Sequence, residues 1–243
     1  MRLNRPQAMN ALNRQMIEQI GERLDEVAAS DARALIVVGE GGKAFSAGAD
    51  VKELLGKDAD EQRATSRRGQ LAFAKLDNLP ISSVAVITGF AFGGGMELAL
   101  ACTFRIATAN SRFGLPEIRL GLIPGYGGTQ RLPRLVGLAK ATEIVVGGRT
   151  IGAEEAERIG MVHRIVDATD PVQAGREYLT ELGAPFPASL KHALEATRAS
   201  LGVPLEQGLA LEADLFSTAT QTGDAAEGLK AFLDKRKAAF VGR

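Results

Sequence analysis

The sequence is poor in the residues that carry metal and redox chemistry. Among 243 residues there is one cysteine, Cys102, and there are two histidines, His163 and His192. A single cysteine excludes an internal disulfide and a thiolate metal cluster, and two histidines argue against a multi-histidine site. An excess of either charge is also missing. The 29 Lys and Arg balance 29 Asp and Glu, so no global positive field exists to hold a polyanion. That argues against nucleic acid as a partner. No uninterrupted apolar run reaches the roughly 18 residues of a membrane span. The opening Met1-Arg2-Leu3-Asn4-Arg5-Pro6 lacks the apolar core of a secretory signal. The expectation is a cytoplasmic protein with no membrane partner. What is present is an ordinary globular mix, 45% hydrophobic and 24% charged, which excludes wholesale disorder. The length suits one large α/β domain or a core with a small appendage.

Glycine is plentiful, 28 of 243 residues, above the usual roughly 7%. The glycines cluster between elements. Leu12, Met16, Ile20, Leu24 and Val27 recur on one face of a first helix, which Asn10 or Asn13 could cap. Ala34-Leu35-Ile36-Val37-Val38 reads as a buried strand, and Val51 to Leu55 as helix-like. Residues 56–68 are polar and read as a surface loop running into a helix that stops before Pro80. Ser83-Val84-Ala85-Val86-Ile87-Thr88 is a second buried strand, followed by a glycine-rich turn over residues 89–95 and a helix over residues 96–102. Strand, glycine-rich turn and helix thus occur twice. Ala49 and Gly94 hold comparable places 45 residues apart. Further strands are expected at residues 104–108 and 161–166, an extended piece at 111–114, and helices at 139–146 and 154–159. Thr129 could cap the helix carrying Leu132 and Leu135. From Pro171 onward the pattern is helical, with breaks at residues 183–187 and 202–204. The chain is therefore expected to divide into an α/β core over residues 1–184 and a helical region over 185–243. The apolar stripes of that region suggest packing against another subunit.

Two groups of residues could carry chemistry. Gly93-Gly94-Gly95 at a helix start leaves backbone N–H groups open to a ligand oxygen, where the helix dipole favours negative charge. Ala47-Gly48-Ala49 is a second small-residue turn. Two such N–H groups converging on one carbonyl would form an oxyanion hole; small residues also simply permit tight packing. The run is neither a Walker loop nor a dinucleotide fingerprint, since the Gly-Lys-Ser/Thr and the Gly-x-Gly-x-x-Gly spacing are both missing. The second group is a pair of carboxylates. Glu97 stands in the first turn of an otherwise apolar helix, and Glu117 lies between Pro116 and Ile118. Each could be an ordinary glutamate. Close together, they would split their pKa values, leaving one able to give a proton and one able to take it. Cys102 reads as inert core and His163 as structural. Lys235-Arg236-Lys237 is a solvated helix end or a phosphate contact.

Four segments, in order, resemble the enoyl-CoA hydratase/isomerase (crotonase) family: Phe45-Ser46-Ala47-Gly48-Ala49-Asp50-Val51-Lys52, Gly93-Gly94-Gly95-Met96-Glu97-Leu98-Ala99, Phe113-Gly114-Leu115-Pro116-Glu117, and Pro124-Gly125-Tyr126-Gly127-Gly128-Thr129-Gln130-Arg131-Leu132. The resemblance runs from Leu3 to Lys237. It implies an α/β spiral of ββα units with a C-terminal helical trimerisation region, assembling as a trimer or a dimer of trimers. It implies acyl-CoA thioester substrates, the thioester oxygen held by the N–H groups of Ala49 and Gly94. It implies Glu117 as the acid for the α-carbon and Glu97 as the partner that activates water, in hydration of a trans-2-enoyl-CoA to a 3-hydroxyacyl-CoA. Substrate contacts are implied at Ala8, Ala47, Asp50, Val51, Lys52, Gly125 and Lys235. No metal or separate cofactor is implied, CoA being part of the substrate. The alternatives on this scaffold are Δ3-Δ2 enoyl-CoA isomerisation or another acyl-CoA lyase or hydratase reaction. In a different class stands a non-catalytic or RNA-binding member. Two features depart from the family pattern. The strand that usually leads into Leu3-Asn4-Arg5-Pro6 is almost entirely absent, which predicts an exposed sheet edge. Met96 and Tyr126 are bulkier than is usual, which bears on acyl-chain length.

Overall fold

The computed structural model describes residues 1–183 and 186–242. The chain forms two compact units, Met1–Tyr178 and Leu179–Arg243. The boundary expected between residues 184 and 185 lies outside the described residues.

The first unit deals its strands into two sheets, alternating between them through the middle of the chain order. One holds β1 (Arg2–Leu3), β2 (Ala34–Gly39), β4 (Ser82–Ile87), β6 (Phe104–Ala107) and β9 (Arg164–Ile165), side by side in that order and all parallel. The other holds β3 (Ala44–Ser46), β5 (Phe90–Phe92), β7 (Arg112–Gly114) and β8 (Thr150–Gly152), with only the last pair antiparallel. Every residue of β4 is buried, since it lies mid-sheet. A parallel strand covered on both faces reads as an unbroken apolar run, which is why β2 and β4 stand out in the sequence. β5 and β8, three residues each, do not. β5 lies inside the stretch expected to be one glycine-rich turn. The strand expected over residues 161–166 shrinks to β9, because Met161 and Val162 instead bury themselves in a turn, both N–H groups donating to Ala156 O. The two-residue β1 forms the edge of its sheet.

Helix α1 (Arg14–Ala28) buries Met16, Ile20 and Leu24. Of the two candidate caps it uses Asn13, whose Oδ1 accepts from Met16 N at 3.0 Å. Asn10 is buried with φ 55° and ties three segments together. Its Oδ1 accepts from Arg5 N at 2.9 Å, and its Nδ2 donates to Glu40 O at 2.9 Å and to Ala44 O at 2.8 Å. Helix α2 (Ala59–Asp77) begins well inside the stretch expected to be a surface loop. Asp58 and Glu61 form a capping box there, so the charge run is a helix start. Helix α3 (Gly94–Ala101) is buried at all eight positions. Below its last turn the buried guanidinium of Arg105 donates to Cys102 O at 2.6 Å and Met161 O at 2.8 Å, placing positive charge at the helix C-terminus. The expected cap Thr129 lies inside α4 (Gly128–Val136). Gly127, at φ 114°, precedes that helix with no side-chain cap. α5 (Leu138–Gly147) and α6 (Ala153–Arg158) follow, and α7 (Pro171–Glu181) runs across the division between the units.

The second unit contains α8 (Leu190–Ala199), α9 (Leu205–Thr220) and α10 (Gly223–Leu233). The buried carboxylate of Asp224 accepts from the backbone N–H groups of Ala188, Val241 and Gly242 at 2.7–2.9 Å. Leu205, Leu209, Phe216, Leu229, Phe232 and Leu233 are exposed. Among the described residues no helix is long and apolar enough to cross a membrane.

The two asparagines give a stability test. Asn13→Ala removes one cap bond and costs ~1 kcal/mol. Asn10→Ala removes three bonds and leaves buried partners unpaired, at a cost of ~3 kcal/mol. Urea midpoints of the two variants measure the difference.

Candidate active site

The pairing of β3 with β5 brings the two glycine-rich turns together. Ala44 is registered with Phe90 and Ser46 with Ala91, so the chain leaves both strands at the same end. The first turn is strapped down by residues 9–12. Ala47 N donates to Met9 O at 2.9 Å, Leu12 N to Gly48 O at 2.7 Å, and Asp50 N to Leu12 O at 2.9 Å. Because Gly48 O and Asp50 N both face Leu12, the N–H of Ala49 turns the other way, as alternation along an extended chain requires. Gly94 opens α3, where the first N–H groups have no partner within the helix. A Cβ on Gly94 would lie 3.3 Å from Ala49 N, and one on Gly48 would lie 3.5 Å from Gly94 N. The two backbone nitrogens therefore lie close to each other.

Glu97, one turn into α3, is buried. Its Oε1 accepts from Tyr126 N at 2.8 Å and Gly128 N at 2.7 Å. The loop before α4 thus spends its free N–H groups on this carboxylate. Burial still dominates and pushes the carboxyl up to about 7. Nearby Glu117 adds to the rise, and the two backbone donors and Arg131 oppose it. Glu117 comes from the 3-10 turn Pro116–Leu120 that follows β7. The bond from Gly93 N to Gly114 O, 2.9 Å, sets that turn beside the start of α3. Glu117 Oε1 sits where a Cβ on Gly93 would be 2.9 Å away. Its Oε2 is buried with no hydrogen-bond partner among the described residues, and burial raises this carboxyl as well. The cluster is a pair of backbone donors with two desolvated carboxyls beside it. One carboxyl is fixed by two bonds and the other has an unspent oxygen. Such a cluster can stabilise a developing oxyanion and move protons on and off an adjacent atom.

The remaining candidates fall around this centre or outside it. Ala8 ends the 3-10 turn Pro6–Ala8, next to the strap. Ala47 is half-buried, and Val51 and Lys52 are exposed in the 3-10 turn Val51–Leu54. Asp50 is engaged by Arg5, Nη2 to Oδ2 at 3.2 Å. The carbonyl of Gly125 accepts from Ser66 Oγ at 2.6 Å and Gln70 Nε2 at 3.0 Å. Lys235 is exposed after α10, in the second unit. Burial raises the Cys102 thiol to about 12, in keeping with inert core. His163 is held down to about 4, by burial first and Arg105 second, and its Nδ1 accepts from Arg105 N. The sequence reading missed the donors at Tyr126 and Gly128. It also missed Arg131, which donates to Tyr126 O at 3.0 Å and pairs with Asp77. A glycine-rich loop directly before a helix was the available signal.

Solved structures place the fold of this chain among crotonase folds. An enoyl-CoA hydratase structure from Bacillus anthracis superposes with a TM-score of 0.93 at 36% identity, covering 100% of this chain and 94% of that one. A sequence profile described as enoyl-CoA hydratase/isomerase matches residues 1–243. The chain is 37% identical over 242 residues to a crotonyl-CoA hydratase of Syntrophomonas wolfei, covering 99% of this chain and 93% of the relative. It is 36% identical over 236 residues to a short-chain-enoyl-CoA hydratase of Clostridium acetobutylicum, covering 97% and 90%. The fold is that of a crotonase-type α/β enzyme. The chain belongs to the enoyl-CoA hydratase/isomerase family.

The raised carboxyl of Glu97 has a consequence for stability. Its folded value lies above its unfolded one, so the folded state holds more protons between about 4.5 and 7. Stability therefore falls as pH rises through that window, and the penalty is complete above it. Glu97→Gln removes the penalty. The stability of the variant relative to wild type should improve by ~3 kcal/mol between pH 5 and pH 8, at 1.36 kcal/mol per pKa unit. Urea unfolding at the two pH values measures it, and a flat difference would refute a desolvated carboxyl.

Proposed function

We propose that the protein hydrates trans-2-enoyl-CoA thioesters reversibly to 3-hydroxyacyl-CoA. The observation that carries this reading is the pair of desolvated carboxyls, Glu97 and Glu117, beside the neighbouring backbone nitrogens of Ala49 and Gly94. The thioester oxygen binds those two N–H groups. Water, oriented by Glu97, adds through its oxygen to the β-carbon and gives a proton to the Glu97 carboxylate. Protonated Glu117 delivers a proton to the α-carbon. The enolate charge that forms between these events rests on the two N–H groups, where preorganised donors are most effective. The next turnover needs Glu97 to lose its proton and Glu117 to regain one. Carboxyls raised toward neutrality exchange protons readily at physiological pH.

Isomerisation between Δ3 and Δ2 positions needs one carboxylate. Two backbone N–H groups spent on fixing a second, buried one support hydration instead. So do the names of the relatives from S. wolfei and C. acetobutylicum. Ala8, Ala47, Asp50, Val51, Lys52, Gly125 and Lys235 are the proposed substrate contacts, Asp50 acting while paired with Arg5. CoA stays joined to the acyl group through the thioester throughout, as part of the substrate, and no separate cofactor enters the scheme. The exposed leucines and phenylalanines of α9 and α10 support self-association, as a trimer or a dimer of trimers, since apolar groups of that size are seldom left in water together.

Loss of the enoyl-thioester absorbance of crotonyl-CoA tests the reading. Wild type should consume it rapidly. Glu117→Gln and Glu97→Gln should each lower kcat by ~10²–10⁴, the usual worth of a general acid or base. No loss with folded wild type would sink the hydratase reading.

A further inference from the structure

The backbone of Tyr126 holds Glu97, but its side chain is placed for something else. The ring is slotted between two helices. On one side a Cβ on Gly69, in the middle of α2, would lie 2.3 Å from Cδ1 and 2.6 Å from Cε1. On the other side a Cβ on Gly94 would lie 3.1 Å from Cδ2 and 3.2 Å from Cε2. The edge of Phe73 closes the slot at 5.8 Å between centroids, with the planes 86° apart. Glycine inside a helix is unfavourable relative to alanine. Gly69 is therefore explained by the ring it admits, because any side chain there would evict it.

The loop cannot swing the ring away easily. The carbonyl before Tyr126 is gripped by Ser66 and Gln70 of α2, and the Tyr126 carbonyl itself by Arg131, which pairs with Asp77 at the end of α2. The residue is buried, and its hydroxyl makes no hydrogen bond to the described residues. Burial, with Glu97 and Glu53 nearby, pushes the phenol up to about 12, so the ring stays neutral. It is a fixed, neutral surface against the first residue of α3.

We propose that the Tyr126 ring is the wall that ends the acyl pocket and restricts the enzyme to short-chain thioesters. This rests on the acyl-CoA reading above. With the thioester oxygen on Ala49 N and Gly94 N, the α- and β-carbons lie between Glu117 and Glu97. The Glu97 carboxylate is held by the N–H of Tyr126 itself. Carbons beyond the β-position therefore meet residue 126, whose ring already lies against Gly94. A chain of four carbons ends there. Longer chains have to displace a ring that α2 holds on its other side.

Binding of saturated thioesters, which need no turnover, tests this on the full-length protein. In an open apolar pocket each added methylene tightens binding about fourfold, the equivalent of roughly 0.8 kcal/mol per buried CH₂. Wild type should bind octanoyl-CoA no more tightly than butanoyl-CoA. Tyr126→Ala should raise the preference for octanoyl-CoA over butanoyl-CoA by at least about tenfold. Tyr126→Phe, which keeps the ring, should leave that preference as in wild type. Tyr126→Leu should shift it in the same direction as alanine by less, and decides the matter if the alanine variant does not fold. Gly69→Ala should destabilise wild type but not the Tyr126→Ala background, where a methyl enters vacated space. An unchanged ratio in the alanine and leucine variants would overturn the proposal. So would wild type that already gains about fourfold per methylene. Predicted ratios with no hydration of crotonyl-CoA would overturn the hydratase reading and leave this one standing. Binding of neither thioester would overturn both.

Discussion

A carboxylate buried in the first turn of an apolar helix is the constraint around which the first unit is arranged. Glu97 cannot stay in that place without donors, and the nearest polar side chains do not supply them. The chain supplies peptide N–H groups from Tyr126 and Gly128 instead. That requirement fixes the loop before α4, and the loop must then be fixed in turn. Ser66 and Gln70 hold it at Gly125, and Arg131 holds it at Tyr126 while pairing with Asp77. Helix α2 is thus anchored along its length to a loop whose first duty is to satisfy one buried oxygen. A buried polar group of this kind is tolerable only when its network is complete.

The second determinant is topological. From β2 to β7 consecutive strands alternate between two sheets, so β3 and β5 lie side by side although 45 residues separate Ala49 from Gly94. Parallel neighbours end on the same side, and whatever follows each strand is delivered to one place. The strap of residues 9–12 then decides which way Ala49 N–H points, by taking the carbonyl before it and the N–H after it. Arg105 under the far end of α3 adds positive charge where the helix carbonyls gather, and so reinforces the helix whose other end faces the site.

How much of this the sequence discloses depends on the range of the interaction. The amphipathic face of α1 and the unbroken apolar runs of β2 and β4 are local patterns, and they were legible. Glu97 and Glu117 were legible as anomalies, acids in apolar company. Residues 56–61 misled because charge density suggests a loop, while Asp58 and Glu61 form a capping box whose meaning lies in their three-residue spacing. Thr129 misled because α4 begins where its N–H groups find Glu97, a partner 31 residues away that no local rule contains. β5 and β8 are too short for a period of two to show. The slot between Gly69 and Gly94 was beyond reach, since a helix-interior glycine announces a close neighbour without naming it.

Four of the groups that face the centre, the N–H donors of Ala49, Gly94, Tyr126 and Gly128, belong to the main chain. No codon encodes them, and no single side-chain replacement can delete them short of proline. Mutation can reach them only by bending the backbone that presents them. Much of the centre is therefore heritable as a conformation and not as a set of side chains. Substitution can accumulate around it for as long as the two strands and the two turns keep their course.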